Sequence, residues 1–77
     1  MKTNIEQISK IESQNRQVLN WLQSGQSLTQ FDAANYFGIY RLSARIFDLR
    51  KNGHKITSEL IVKGSRHWSK YTLNQKP

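Results

Sequence analysis

Basic residues concentrate in the second half of the chain, where they could bind anionic groups. From Arg41 onward there are nine Lys and Arg residues against Asp48 and Glu59, whereas residues 1–37 carry three charges of each sign. The whole chain has a formal charge of +7 and a pI of about 10.2. An excess confined to one half suits a polyanionic partner, with nucleic acid before an anionic membrane. A basic surface that serves only solubility is the alternative.

Residues suited to catalysis or metal binding do not cluster along the sequence. His54 and His67 are the only histidines, and neither lies in a nucleophile elbow or beside paired carboxylates. The five acidic residues are scattered, cysteine is absent, and no glycine-rich phosphate loop occurs. We therefore predict that the protein is not an enzyme and that it uses no metal and no cofactor.

The length and the hydrophobic pattern limit the class of protein. The 77 residues suffice for one small domain. The longest aliphatic run, Leu60-Ile61-Val62, is far shorter than the roughly 18 apolar residues of a membrane span, and the N-terminus mixes lysines with glutamates, unlike a signal peptide. A chain without cysteine is compatible with a reducing compartment. We expect a cytoplasmic protein with no membrane partner.

A first helix is predicted from about residue 14 to residue 24, with Ser13 or Asn15 as its N-cap and Gly25 as its C-cap. Its apolar face consists of Val18, Leu19, Trp21 and Leu22. Upstream, isoleucine recurs at every third position, at Ile5, Ile8 and Ile11. Residues 1–12 are therefore either an N-terminal arm or extra helical turns, residues 13–74 form the domain, and residues 75–77 form a tail.

Two more helices are predicted on either side of a tight turn. The second begins after Thr29, which forms a capping pattern with Asp32, and ends at Gly38. Its apolar face is predicted to be Phe31, Ala34 and Phe37. The third runs from about residue 41 to residue 52 and ends at Gly53. Its buried stripe is predicted to be Leu42, Ile46 and Leu49.

The turn between these helices has the residues that a steep crossing requires. Two helices that cross over a short turn need a small residue where they approach and a residue that tolerates positive φ. Ala34 and Gly38 are the candidates, and Ile39 is predicted to fill the core beneath the turn. The segment from Thr29 to Gly53 is therefore predicted to be a helix-turn-helix.

Beyond Gly53 the hydrophobic period changes from 3.6 to 2, which predicts two strands. The first strand has Ile56, Leu60 and Val62 on one side and Thr57, Glu59 and Ile61 on the other. The second strand, from His67 to Leu73, has Tyr71 and Leu73 on one face and Trp68, Lys70 and Thr72 on the other. The Gly64-Ser65 centre between them suits a two-residue hairpin turn.

The stretch from Gly38 to Gly53, followed by an Ile56-led hairpin that ends in Tyr71-Thr72-Leu73, resembles winged helix-turn-helix DNA-binding domains. The resemblance is closest to a small phage- and prophage-type family. Leu49-Arg50-Lys51-Asn52-Gly53 fits the Leu-basic-x-x-Gly end of the recognition helix in winged helices generally. The resemblance covers about residues 15–73 and implies an α+β fold of three helices and a two-stranded hairpin wing. The sequence departs from the pattern at the start of the recognition helix, where Tyr40 or Ile39 stands in place of a Ser or Thr cap.

The resemblance implies that the third helix enters the major groove of double-stranded DNA and that the wing lies on the backbone, with its tip along the phosphates or in a minor groove. Arg41 is the first candidate for base readout, because a guanidinium can bond guanine O6 and N7 together. The implied base contacts are Tyr40, Arg41, Ser43, Ala44, Arg45 and Phe47. The implied backbone contacts are Thr29, Arg50, Lys51, Lys55 and Lys70, and the wing tip is Lys63, Gly64, Ser65 and Arg66.

Several of these residues have a structural alternative. Arg45 could pair with Asp48 or Glu59 and so stabilise the fold. Arg50 and Lys51, at the C-terminal end of the third helix, would interact favourably with the helix dipole whether or not the protein binds DNA. Trp68 either packs with Ile61 or is exposed to a partner.

The resemblance implies a phage-type transcriptional regulator or accessory DNA-binding factor, associated with the nucleoid of a bacterial cell. One module covers a half-site, so a homodimer is an option, with the isoleucine stripe as its contact. The alternatives are a winged-helix module that binds or inhibits a host protein and a protein that binds structured RNA.

Overall fold

The computed structural model describes residues 5–74, with side chains from Lys10 onward. The elements are α1 (Ile5–Gln23), β1 (Leu28–Thr29), α2 (Gln30–Phe37), α3 (Leu42–Lys51), β2 (Ile56–Lys63) and β3 (Arg66–Leu73). The α+β winged-helix architecture predicted from the sequence is confirmed. No helix within the described residues is long and apolar enough to cross a bilayer.

Helix α1 is longer than predicted. It is continuous from Ile5, so residues 5–12 are helical. The predicted N-cap at Ser13 or Asn15 is therefore wrong, because both residues lie inside the helix. Val18 and Leu22 are completely buried, while Leu19 and Trp21 pack against the core from its edge. Residues 1–4, the side chains of Ile5 and Ile8, and the tail at 75–77 lie outside the described residues.

Helix α2 starts and ends as the sequence predicts. The Thr29 hydroxyl oxygen accepts a bond from the Asp32 amide, and the Thr29 amide donates to the Asp32 carboxylate, both at 3.2 Å. Gly38 has φ 67°, and its amide donates to the Ala34 carbonyl at 3.1 Å. Ile39 follows with 1% exposure, so it fills the core under the turn.

The buried face of α2 differs from the prediction. Ala33, rather than Ala34, is completely buried, and Phe31 is 41% exposed. Phe31 turns toward the sheet, where its ring meets Trp68 edge-on at a centroid distance of 5.5 Å.

The predicted stripe of α3 anchors the helix in the core. Leu42, Ile46 and Leu49 are at most 3% exposed. They belong to a single cluster, completed by Val18, Leu22, Leu28, Ala33, Ile39 and Ile56. The helix is one residue shorter at each end than predicted.

The sheet has three strands, because a short strand precedes α2. Its order is β1-β3-β2, with β3 in the centre, and both pairings are antiparallel. Strand β1 pairs Leu28 with Tyr71 and Thr29 with Lys70. A two-residue strand has no periodicity, so the sequence pattern does not indicate it.

Strands β2 and β3 form the predicted hairpin over their full length. Lys63 pairs with Arg66 across the two-residue turn, and Gly64 has φ 62°. A glycine with positive φ at the first central position fits a type II′ turn. The hairpin extends beyond the core, so Ile56 is buried at its base while Leu60 and Val62, on the same side, are 62% and 64% exposed.

Arg50 connects α3 to the base of the wing. Its Nε and Nη2 atoms donate to the Ile56 carbonyl oxygen at 3.0 and 2.7 Å. A charged donor pair on one carbonyl is stronger than a neutral hydrogen bond. The contact fixes where β2 begins relative to the end of α3.

We expect Ile46→Ala to lower the free energy of unfolding by about 2 to 5 kcal/mol, because it opens a cavity in a core of nine side chains. The adjacent Phe47→Ala serves as its control and should change stability by less than about 0.5 kcal/mol, since Phe47 is 65% exposed. Urea unfolding followed by circular dichroism measures both. Equal losses in the two variants would contradict the position of α3.

We expect Arg50→Gln to lower stability by about 1 to 2 kcal/mol, because the Ile56 carbonyl loses its charged donors. Lys51→Gln removes the same charge from the next residue, which is exposed, and should be nearly neutral. Hydrogen exchange of the wing amides, measured with the unfolding curves, should show faster exchange at the base of β2 in Arg50→Gln only. Similar exchange in both variants would rule out the proposed connection.

Candidate nucleic-acid interface

Helix α3 presents a solvent-facing surface opposite its buried stripe. At about 100° per residue, Ala44, Phe47 and Lys51 lie on the side away from Leu42, Ile46 and Leu49. Phe47 is 65% exposed, and Tyr40, just before the helix, is 83% exposed. This outer face of α3, defined as Tyr40, Ala44, Phe47 and Lys51, combines aromatic rings with a cation.

Arg41 occupies the N-cap position of α3, so the cap lies one residue beyond Tyr40, and the prediction of Tyr40 or Ile39 at the cap position is wrong. Its backbone has φ −121° and ψ 58°, and no side chain bonds the first helical amides. The carbonyl of Arg41 accepts from the amides of Ala44 and Arg45 at 3.1 and 3.4 Å. The Arg41 side chain is exposed at the start of the helix, on the flank that faces α1.

Arg45 faces α1 and braces the fold. Its Nη2 atom lies 3.2 Å from a carboxylate oxygen of Asp48, and its side chain is only 13% exposed. The Asn15 amide group of α1 donates to the same Asp48 oxygen at 3.4 Å. The ion pair with Asp48, which the sequence offered as an alternative to base contact, is therefore present, and Glu59 is not the partner.

Two other predicted contact residues also have partners within the protein. Arg50 donates to the Ile56 carbonyl, and Lys70 lies 3.5 Å from Glu59 across the β2–β3 pair. Both side chains would have to share or release these partners to meet a phosphate. Thr29 accepts from Asp32 at the α2 cap, and its hydroxyl hydrogen is not used by that bond.

Five basic side chains of the second half have neither a hydrogen bond nor an ion pair within residues 5–74. They are exposed, and they are Arg41, Lys51, Lys55, Lys63 and Arg66. Lys63 and Arg66 face each other directly across the wing tip. Like charges at directly opposed positions of a hairpin destabilise it, and an anion between them would remove that penalty.

A cleft connects α3 to the wing. It has a volume of about 300 Å³ and is lined by Tyr40 and Ser43 on the helix side and by His67 and Ser69 on the β3 side. Gln30 at the start of α2 also lines it. The N-terminal end of α3, the start of α2 and the middle strand therefore border one continuous concave surface.

The environment of Trp68 lies between the two predicted alternatives, packing with Ile61 and exposure to a partner. It is half-buried, lies opposite Ile61 in the register, and packs edge-on against Phe31. Trp21, predicted to be in the core, is partly buried at its edge, stacks on Tyr36 at 5.1 Å and donates from Nε1 to the Ser27 carbonyl at 2.8 Å.

Leu60 and Val62 form an exposed apolar surface on the wing that was not predicted from the sequence. Their period-2 spacing with Ile56 predicted only that they share one side of a strand. The signal that could have revealed them is the length of the strand, since eight residues reach far beyond a core of this size.

Comparisons with known proteins agree with this geometry. A family profile described as the winged helix-turn-helix domain matches residues 13–76. Neither the characterised proteins nor the solved structures that were compared with the chain gave a match. The profile spans the capping box, the turn, α3 and the wing, and the chain belongs to the winged helix-turn-helix domain family.

Proposed function

We propose that this chain binds double-stranded DNA sequence-specifically and acts as a phage-type transcriptional regulator or accessory DNA-binding factor in the bacterial cytoplasm, at the nucleoid. A winged helix-turn-helix domain suggests DNA binding. The observation that carries the proposal is the set of five unpartnered cations, which lie at both ends of α3, at the base of β2 and at the wing tip.

In this proposal the outer face of α3 enters the major groove. Arg41 and Ser43 supply donors for base edges, while Phe47 offers an apolar surface for a thymine methyl group. Tyr40 and Ala44 shape the same contact. Arg45 has a supporting role, because its ion pair with Asp48 directs it toward α1.

The wing and the helix ends hold the DNA backbone in this proposal. Lys63 and Arg66 bind phosphate at the tip, where Gly64 and Ser65 allow close approach. Lys51, Lys55 and the Thr29 hydroxyl add further phosphate contacts. Arg50 and Lys70 hold the wing in place through Ile56 and Glu59 and contribute to the field around the DNA.

We expect Arg41→Glu and Arg66→Glu each to weaken binding to duplex DNA. Arg66→Glu, which removes a phosphate contact, should also flatten the dependence of log K on log salt, whereas Arg41→Glu, which removes a base contact, should change that slope less. The loss of one phosphate contact should reduce the slope of log K against log salt by about 0.9. The loss of a contact to a base should lower affinity and leave that slope nearly unchanged. The control is Arg16→Glu, which makes the same change of charge on the exposed side of α1, away from Val18.

Fluorescence anisotropy with a labelled random duplex at several salt concentrations measures these effects. If Arg16→Glu weakens binding as much as the other two variants, the interaction is a diffuse charge effect and the interface is wrong. If the wild type does not bind duplex at low salt, the proposed function is wrong.

We expect Phe47→Ala to lower affinity for a sequence selected from a random pool by about tenfold while leaving the salt slope unchanged. The reason is that an apolar contact to a base releases no counterions. Binding to a scrambled duplex serves as the control and should not change. A parallel loss on both duplexes would exclude Phe47 from sequence readout.

The exposed rings of Tyr40 and Phe47 also favour a second candidate, a module that binds a host protein. Exposed aromatic residues are enriched in protein interfaces. This candidate predicts that Tyr40→Ala abolishes capture of the partner while Arg66→Glu leaves it intact. DNA binding predicts that Arg66→Glu has the larger effect.

A further inference from the structure

The outer edge of β2 is open. Strand β2 lies at the end of the sheet order, and within residues 5–74 no other strand pairs with its outer side. It has eight residues, contains no proline, and carries exposed Leu60 and Val62. Long edge strands with exposed apolar residues are templates for pairing with another strand, and natural proteins usually protect them.

The hydrogen-bond pattern shows which backbone groups face this edge. The Lys55 carbonyl accepts from the Asn74 amide at 2.8 Å, so it points toward β3. Since backbone groups alternate along a strand, those of Ser58, Leu60 and Val62 point outward. Ile56 points outward as well, but Arg50 already occupies its carbonyl. The open part of the edge therefore runs from Ser58 to Val62.

We infer that this edge pairs with the same edge of a second copy, antiparallel and centred on Ile61, to form a six-stranded sheet. In this register Leu60 and Val62 of one copy form hydrogen-bonded pairs with Val62 and Leu60 of the other. On the opposite face, Glu59 of each copy lies beside Lys63 of the other. The inference does not depend on DNA binding.

Charge complementarity selects this register among those that the backbone allows. Moving the centre to Glu59 would place Lys55 opposite Lys63, and moving it to Leu60 would leave Glu59 opposite Ile61. Centring on Ile61 gives two opposite-charge pairs and three apolar pairs, one of them Ile61 with Ile61, and each of these stabilises an antiparallel ladder. Glu59 already lies 3.5 Å from Lys70, so it would sit between two lysines.

The symmetry of the pairing also fixes the position of the helices. Residues paired across antiparallel strands point to the same face, so the two-fold axis is perpendicular to the sheet. Ile56 packs into the core on the face that carries Leu60 and Val62. Both α3 helices would therefore lie on one side of the six-stranded sheet.

The first test uses two single charge variants and their mixture. Glu59→Lys alone and Lys63→Glu alone each place like charges opposite one another twice, so each should raise the dimer dissociation constant about tenfold or more. A mixture of the two variants restores both opposite-charge pairs and should form a heterodimer. Sedimentation velocity up to about 1 mM protein measures this, since small interfaces associate weakly.

The second test uses a single introduced thiol, because the chain has no cysteine. Ile61→Cys would lie opposite itself as a non-hydrogen-bonded pair, with Cα atoms about 4.5 Å apart, which is within the range that disulfides accept. Thr57→Cys, on the same face of the same strand, is the control, because its two copies would be about 26 Å apart. Ile61→Cys should be oxidised to a covalent dimer much faster than Thr57→Cys.

Three results would overturn the inference. The first is a wild-type protein that stays monomeric at the highest concentration. The second is a dimer that neither charge variant weakens, which would point to another contact such as α1. The third is equal cross-linking rates for the two cysteine variants, with circular dichroism showing that both are folded.

Discussion

The burial of one stripe of α3 is the constraint on which the rest of the structure depends. Leu42, Ile46 and Leu49 meet the core from a helix of only ten residues, so the orientation of every other α3 side chain follows from theirs. Phe47 and Lys51 face solvent because they lie opposite the stripe. Arg45 and Arg50 lie on its two flanks, where one meets α1 and the other meets the wing. The surface available to a ligand is what remains after these contacts are made.

The arginines of the second half have different roles although they are chemically identical. Arg45 balances a carboxylate, Arg50 satisfies a backbone carbonyl, and Arg66 has no partner in the described part of the chain. A count of charges from the sequence treats all of them as available to an anion. The structure reduces that number, and it concentrates the unpartnered charge at the ends of α3 and on the wing.

Local patterns explain which parts of the fold could be predicted. The α3 stripe, the Thr29 cap, the Gly38 turn and the hairpin each leave a signal within a few residues of sequence, and all are present. The two-residue strand β1 leaves no such signal. In α2 the sequence placed Phe31 on the buried face, whereas its ring contacts Trp68 of a distant strand, a contact that no pattern within the helix indicates. For the candidate site, the sequence identified the cations and offered the pairing of Arg45 with Asp48. It did not indicate the contact of Arg50, because that side chain bonds a carbonyl rather than a charged partner.

Thr29 belongs to two elements at once, which couples regions that are separate in sequence. It pairs with Lys70 in the centre of the sheet, and it caps the first turn of α2. Local opening of β3 would therefore release the start of α2, and fraying of α2 would weaken the strand pairing in turn. Regions linked in this way open as one cooperative unit. A ligand that holds only the wing would slow the opening of the helix-turn-helix as well, without touching α2.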